Sequence, residues 1–348
     1  MPVNGNGGRR TGPLRVLTWP VHGKYLWSLS SVPVRWFVAT PPDGCGTTTS
    51  TFPDTVIEVA ADDVHELDID VVLYQSRRDL LDHRSTMLTE AQRAAPCLYL
   101  EHDPPLVHPT DALHPAAGQV DGIVHVTHYN RLMWDCGRTP TTVVEHGVAV
   151  PRVKRTLARE RGIVVVNHLG GCGRQIGADL VERLRREVPL DIVGVGSESM
   201  GGLGEVPPAE LAALVATYRF FFHPARYTSL GLTVLEAMHC GVPVVGLPTT
   251  ELASVLTDGR DGYLAADERT LVDRMDHLLA DSRLAHRVGR AGERTARRRF
   301  GITRFQTAWL AVLEAAAARR MIPEPPPFPP PFAPPERDPR TKVVPRAI

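Results

Sequence analysis

The sequence predicts an α/β protein made of two doubly wound parallel-sheet domains. Short runs rich in Val, Ile and Leu recur along the chain, helical patterns separate them, and the alternation restarts after residues 151–161, a charged stretch with little apolar content. Continuous apolar runs suit strands covered on both faces by crossover helices, whereas a half-solvated antiparallel sheet would alternate polar and apolar positions. A chain of 348 residues with 43% apolar content can bury a sizeable core and suits two domains better than one.

The elements follow in order. Residues 1–13 are expected to be a flexible N-terminus. The first domain, 14–150, offers strands at 14–18, 34–39, 71–74, 97–101, 122–127 and 142–145. After a linker at 151–161, the second domain, 162–302, offers strands at 162–167, 190–195, 218–223, 242–247 and 262–265. A helical pattern over 303–322 places Phe305, Trp309, Val312 and Leu313 on one side, for packing back toward the N-terminal domain. Nine of the thirteen residues 323–335 are proline, so 323–348 reads as an extended, disordered tail.

Composition removes several function classes. Lys plus Arg and Asp plus Glu both number 39, so no global field draws the chain to nucleic acid or to a membrane. The five cysteines (45, 97, 136, 172, 240) form no Cys-x-x-Cys pair, which argues against a disulfide framework and a structural zinc site. The N-terminus has no apolar signal-peptide core, and no run of about 18 apolar residues occurs; a reducing cytosol is the expected compartment. His102, His108, His114, His125 and His128 lack zinc-ligand spacing, so no metal is assigned.

The second domain opens with the apolar run 164–166 leading into Asn-His-Leu-Gly-Gly-Cys-Gly-Arg-Gln-Ile-Gly177. Glycines let backbone approach a ligand, and a following helix start offers free N–H groups and partial positive charge. Gly171 and Gly173 thus suit a phosphate-approaching turn, and Arg174 could add a forked donor to a diphosphate. A plain strand-to-helix turn that needs glycine for packing explains the same residues.

In open parallel sheets, ligands sit at the carboxyl ends of strands, so 168–174, the turn after 193–197 and the loop 223–231 should line one cleft. Glu236 follows that loop, on a different helical face from Val234, Leu235 and Met238. Its carboxylate could accept two hydrogen bonds from a ribose diol. A helix-start carboxylate stabilised by the dipole is the structural alternative.

Residues 218–245, with Glu251, the turn Asp258-Gly-Arg-Asp-Gly262 and the ending from Arg-Arg-Phe300 to Trp309, resemble the donor half of family 4 glycosyltransferases of the GT-B fold. In the first half, Leu98-Tyr-Leu-Glu-His-Asp103 is similar to that family's strand ending in His-Asp, Val124-His-Val-Thr127 to its next strand, and Glu145-His-Gly-Val148 to its Pro-Asn-Gly-Val hinge.

The resemblance implies a retaining sugar transfer from a nucleotide diphosphate sugar, UDP- or GDP-linked, to a small-molecule or glycan acceptor. It implies no metal and no cofactor beyond that substrate. By position, Glu236 matches the second glutamate of the Glu-x7-Glu motif, which binds ribose, and His102 the histidine that reaches the donor sugar across the cleft. Gly231 and Leu232 match backbone positions approaching sugar and phosphates, and their neighbours Ser229, Leu230 and Thr233 join the donor loop.

Two departures stand out. The first motif glutamate is replaced by Thr228, whose hydroxyl can still bond to a sugar. The diphosphate Arg and Lys are absent from 170–176 except for a displaced Arg174. Removing one charge-stabilising donor costs on the order of 10²–10³ in rate, so transfer remains the first reading.

After the first strand, Trp19-Pro-Val-His-Gly-Lys-Tyr25 falls where the family has a glycine-rich loop. His22, Gly23 and Lys24 are therefore candidates for acceptor or phosphate contact, against the simpler reading of an ordinary loop. Arg283, Arg287, Arg290, Arg294 and Arg298 form a helical stripe that can dock on anionic lipid, although a solvated surface is preferred. The alternatives to transfer are a degenerate GT-B protein that binds nucleotide sugar without chemistry and, less favoured, a dinucleotide-dependent oxidoreductase. The latter needs Gly-x-Gly-x-x-Gly, whereas 171–177 gives Gly-x-Gly-x-x-x-Gly.

Overall fold

The computed structural model describes residues 12–40 and 52–324. Two parallel sheets form its frame. The first holds β1 (Arg15–Thr18), β2 (Arg35–Thr40), β3 (Val56–Ala60), β4 (Val71–Tyr74), β5 (Cys97–Glu101), β6 (Gly122–His125) and β7 (Thr141–Val143), in the order β3-β2-β1-β4-β5-β6-β7. The second holds β8 (Arg159–Val165), β9 (Leu190–Val193), β10 (Tyr218–His223), β11 (Val244–Gly246) and β12 (Tyr263–Leu264), in the order β12-β11-β10-β8-β9. Every paired strand is parallel, and the fully buried β4, β5, β6 and β10 are the continuous apolar runs that a two-sided cover requires.

Helices α1 (Gly23–Ser30), α2 (Arg84–Met87), α3 (Glu90–Arg93) and α4 (His128–Met133) accompany the first sheet. The second carries α5 (Leu169–Ile176), α6 (Ala178–Leu184), α7 (Pro208–Val215), α8 (Leu232–His239), α9 (Leu252–Val255), α10 (Glu268–Ala280) and α11 (Ser282–Arg299), before the final α12 (Ile302–Ala317). Local chemistry sets several starts: the side chains of Thr127, Asp267 and Asp281 each accept a backbone N–H three residues on, and Thr89 with Gln92 forms a reciprocal capping box.

The chain crosses between the sheets twice. After β7 it passes through Glu145-His-Gly147 into the second unit, and after α11 it returns at Gly301, where the Val148 N–H donates to Phe300 O at 3.0 Å. A Cβ on Gly147 would lie 2.2 Å from Cβ of Phe305, so only glycine lets these two crossings lie against each other. Helix α12 then buries Phe305, Trp309, Val312, Leu313 and Ala316 among Val16, Leu26, Val71 and Val124 of the first sheet's core.

Several expectations shift. Residues 159–161 are not linker but the start of β8, because their charged side chains project from an exposed strand end and find partners: Arg161 pairs with Asp191 at 2.8 Å and Arg159 donates to the Tyr218 hydroxyl at 3.2 Å. Strand β3 is additional; three of its five residues are exposed, and Glu58 interrupts its apolar residues. The last helix ends at Ala317 rather than 322, with Arg319 left-handed (φ 52°). Pro323 and Glu324 are placed, through Thr142 Oγ1 donating to Pro323 O at 2.7 Å and an Arg131–Glu324 pair at 2.8 Å. The remainder of the proline-rich tail, 325–348, and the N-terminal 1–11 lie outside the described residues.

Candidate functional site

The carboxyl ends of β1, β4 and β5 face those of β8 and β10, and the side chains that follow them meet in one cleft. Among the described residues, four hydrogen bonds cross it, and the Tyr129 and Tyr227 rings lie 6.2 Å apart. Lys24 Nζ pairs with Glu236 Oε2 at 2.7 Å, the Tyr129 N–H donates to Glu251 Oε2 at 2.8 Å, Asn130 Nδ2 donates to Ser229 Oγ at 3.3 Å, and the Tyr227 hydroxyl donates to Pro105 O at 2.8 Å.

His102 follows β5 and is nearly buried. Its ring lies 4.2 Å from that of His22 and 4.9 Å, edge-on, from Tyr25. Gln75, just past β4, holds it: the Gln75 amide nitrogen donates to Thr18 Oγ1 (2.8 Å) and Trp19 O (3.1 Å), which turns the amide oxygen toward His102 Nε2 at 3.1 Å. Since Trp19 O can only accept, this network puts the imidazole proton on Nε2 and leaves Nδ1 as the lone pair. Burial, reinforced by His22 and His146, holds the His102 pKa well below its ordinary 6.5, so the ring is neutral at neutral pH. Beside it, burial raises the Asp103 carboxyl above its ordinary range.

Across the cleft, β10 ends at His223 and the donor loop runs to Gly231, the residue before α8. Ser229 and Leu230 are buried, while Thr228, Gly231, Leu232 and Thr233 are half-buried at the cleft wall. The Thr233 hydroxyl reaches Val165 O at 3.5 Å. Glu236 lies one turn into α8, the helix whose amino end points its free N–H groups at the loop. Burial alone holds His223 down to about 4.

The glycine-rich stretch departs from the expected turn. Residues 169–176 are helical, Cys172 N–H bonds back to His168 O at 3.0 Å, and the break falls at Gly173, whose φ of 55° and ψ of −137° suit glycine alone. Gly171 thus sits inside α5, and the turn moves back to His168, which adopts φ 52°. Arg174 pairs with Asp179 at 2.7 Å, as do Arg226 at 2.7 Å and Arg183 at 3.1 Å. Those arginines, Arg226 first, draw the Asp179 pKa down to about 2.

On the other wall, Gly23 and Lys24 open α1, and His22 caps it in a left-handed conformation (φ 51°) with its carbonyl accepting from Tyr25 and Leu26 N–H. Sequence reasoning missed the cluster that ties the hinge. Arg299, buried at the end of α11, donates to Glu145 Oε1 from Nε (2.8 Å) and Nη2 (2.6 Å) and to Glu251 Oε1 at 3.1 Å. Its signal was present only as unexplained charge at 145, where the hinge pattern has proline. Among the described residues no three His, Cys, Asp or Glu side chains are grouped as a metal cluster, and no helix is long and apolar enough to cross a membrane. Arg283, Arg287, Arg290, Arg294 and Arg298 are exposed on α11.

Two facing doubly wound parallel sheets, joined by a double crossing and closed by a C-terminal helix on the first, constitute the GT-B fold. Residues 149–281, the stretch from the hinge through α10, match the family described as Glycosyl transferases group 1. Among curated proteins the chain is 36% identical over 169 residues to a D-inositol 3-phosphate glycosyltransferase of Xylanimonas cellulosilytica, covering 42% of this chain and 40% of that one. It is 31% identical over 228 residues to a GDP-mannose-dependent alpha-(1-6)-phosphatidylinositol monomannoside mannosyltransferase of Mycolicibacterium smegmatis, covering 53% and 60%. The matches thus span less than two thirds of these relatives' own lengths. In three dimensions it resembles Anabaena HepE in complex with UDP-glucose (TM-score 0.67, 14% identity, 87% of this chain and 100% of that one). It also resembles the sucrose-phosphate synthase of Thermosynechococcus elongatus (TM-score 0.65, 14% identity, 88% and 100%).

Proposed function

We propose that this protein is a glycosyltransferase that takes a sugar from a nucleotide diphosphate sugar, UDP- or GDP-linked, and delivers it with retention to a small-molecule or glycan acceptor. The observation that carries the reading is the placement of Glu236: a carboxylate one turn into α8, beside the loop at the carboxyl end of β10 and open to the cleft, inside the segment matching group 1 glycosyltransferases. Its two oxygens suit the two hydroxyls of a ribose, and the diphosphate then falls at the amino end of α8, where Gly231, Leu232 and Thr233 present backbone N–H groups. Neutral His102, with Nδ1 free of the Gln75 contact, faces the sugar from the opposite wall.

In the transfer, the bond between the sugar C1 and the β-phosphate oxygen breaks, and the acceptor oxygen bonds to C1 on the same face. The acceptor proton passes to the departing phosphate oxygen. The protein contributes orientation of two substrates and stabilisation of charge on the leaving diphosphate. Neither a metal nor a separate cofactor has a part in this scheme.

A panel of UDP- and GDP-sugars with mixed acceptors tests it. Release of nucleoside diphosphate is expected from one donor, falling at least about 100-fold for Glu236→Ala, since two hydrogen bonds to a charged acceptor are lost. No turnover with any donor, while a nucleotide sugar still binds by calorimetry, would establish the second reading, a binding protein without chemistry. Thr228 favours that second reading, because a hydroxyl stands where the family pattern has a carboxylate.

A further inference from the structure

Lys24 and Glu236 are 212 residues apart, belong to opposite walls of the cleft, and meet at 2.7 Å with the lysine side chain 42% exposed and the carboxylate 22%. In the proposed function that carboxylate belongs to a ribose, so the lysine occupies a substrate's place. Of the diphosphate cations that the resemblance implies, only the displaced Arg174 is present, and its guanidinium pairs with Asp179 at 2.7 Å. We propose that Lys24 is the diphosphate-binding cation of this protein, delivered from the N-terminal wall, and that it exchanges Glu236 for the donor's phosphates when the ribose arrives. This rests on the donor reading of Glu236.

The geometry permits the exchange. Glu236 lies four residues after the first residue of α8, about 6 Å along the helix axis from the amino end where the phosphates would sit. An ammonium on a flexible four-carbon stem can cover such a distance while its backbone stays in α1. The electrostatics drive it: ribose hydroxyls replace Lys24 on the carboxylate, and the freed ammonium is left beside a group of at least two negative charges. The left-handed cap at His22 holds the first turn of α1, and so the root of Lys24, against this wall.

The exchange makes Lys24 an obstacle to one ligand and an anchor for another, which gives its removal two opposite signs. The full-length wild type, Lys24→Ala and Lys24→Arg are titrated with UDP and GDP by calorimetry, and with uridine and guanosine by ligand-observed NMR. For Lys24→Ala the diphosphate that binds wild type is expected to weaken about tenfold or more, as a charge-assisted contact is lost. The matching nucleoside, which has no phosphate and only has to displace the lysine, is expected to bind up to about fivefold more tightly, the most that an exposed ion pair of this kind withholds. Lys24→Arg restores most of the diphosphate affinity.

A Lys24→Ala protein that binds the diphosphate as well as wild type, or better, would overturn the inference and leave Lys24 as a contact that only ties the two walls together. Equal weakening of nucleoside and diphosphate would overturn it too, because that is the mark of a merely structural role. Wild-type protein that binds neither UDP nor GDP removes the donor reading itself. Melting temperatures without ligand check that each variant is folded.

Discussion

Acid should destabilise this protein before its carboxylates titrate. His125, His146 and His223 are held by burial at about 3, 4 and 4, against an ordinary 6.5; His114 and Arg131 reinforce the effect at His125, and the Leu230 backbone opposes it at His146. A base whose folded-state pKa is lowered leaves the unfolded chain binding more protons, so stability is full above pH 6.5 and falls as pH drops from there toward 4. Between pH 7.5 and 5 each such histidine costs about 2 kcal/mol, some 6 kcal/mol for the three, a large part of the usual 5–15 kcal/mol of a folded domain. Asp179, depressed to about 2 by Arg226 first, acts in a separate window below about pH 4, since a lowered acid loses its contribution only as pH falls through its folded value. Urea unfolding at half-unit steps from pH 7.5 to 4.5, with the m-value checked for constancy, measures the slope. His223→Gln should flatten that slope by about one proton, His102 and the other buried rings keeping the rest. A midpoint that stays level from pH 7.5 to 5, or a His223→Gln slope equal to wild type, would show that these rings are not held neutral.

Three substitutions probe the joint between the units. Gly147→Ala places a Cβ 2.2 Å from Phe305 Cβ, and a loss of about 1–3 kcal/mol in chemical denaturation is expected; an unchanged midpoint would mean the two crossings can part freely. Trp309→Ala empties a fully buried site in the first sheet's core and frees the Tyr25 hydroxyl from its 3.1 Å bond, for an expected loss of about 3–5 kcal/mol, read as the urea midpoint. Arg299→Met leaves the buried Glu145 and Glu251 without their shared partner, for which about 3–5 kcal/mol at neutral pH is expected, whereas a neutral outcome would mean that Arg304 and Ser254 suffice.

Legibility followed how local the cause was. Strands 71–74, 97–101 and 218–223 were read to the residue because each is an apolar run buried on both faces. Strand β3 escaped because three of its five residues are exposed. Residues 159–161 misled because strand ends carry charge when partners such as Asp191 lie on a neighbouring strand. The glycines at 170–173 imply a turn by propensity, yet the hydrogen bond to His168 O completes a helical turn there. In the site, Glu236 stood out by its place after the loop at a strand end, and His102 through the resemblance of Leu98-Tyr-Leu-Glu-His-Asp103 to a family strand. Gln75, which fixes the His102 tautomer, and Lys24 as the partner of Glu236 depend on contacts 27 and 212 residues away, which no local pattern records.

Helix α12 has a consequence for how the protein is made. The interior of the first unit contains Phe305, Trp309, Val312, Leu313 and Ile322, which leave the ribosome after the whole second unit. At about 5–20 residues per second, the N-terminal sheet waits on the order of ten to thirty seconds after β7 emerges before its last core residues exist. During synthesis the second unit can therefore close first, while the first unit's apolar sheet face stays uncovered, and that interval is when a chaperone would have most to hold.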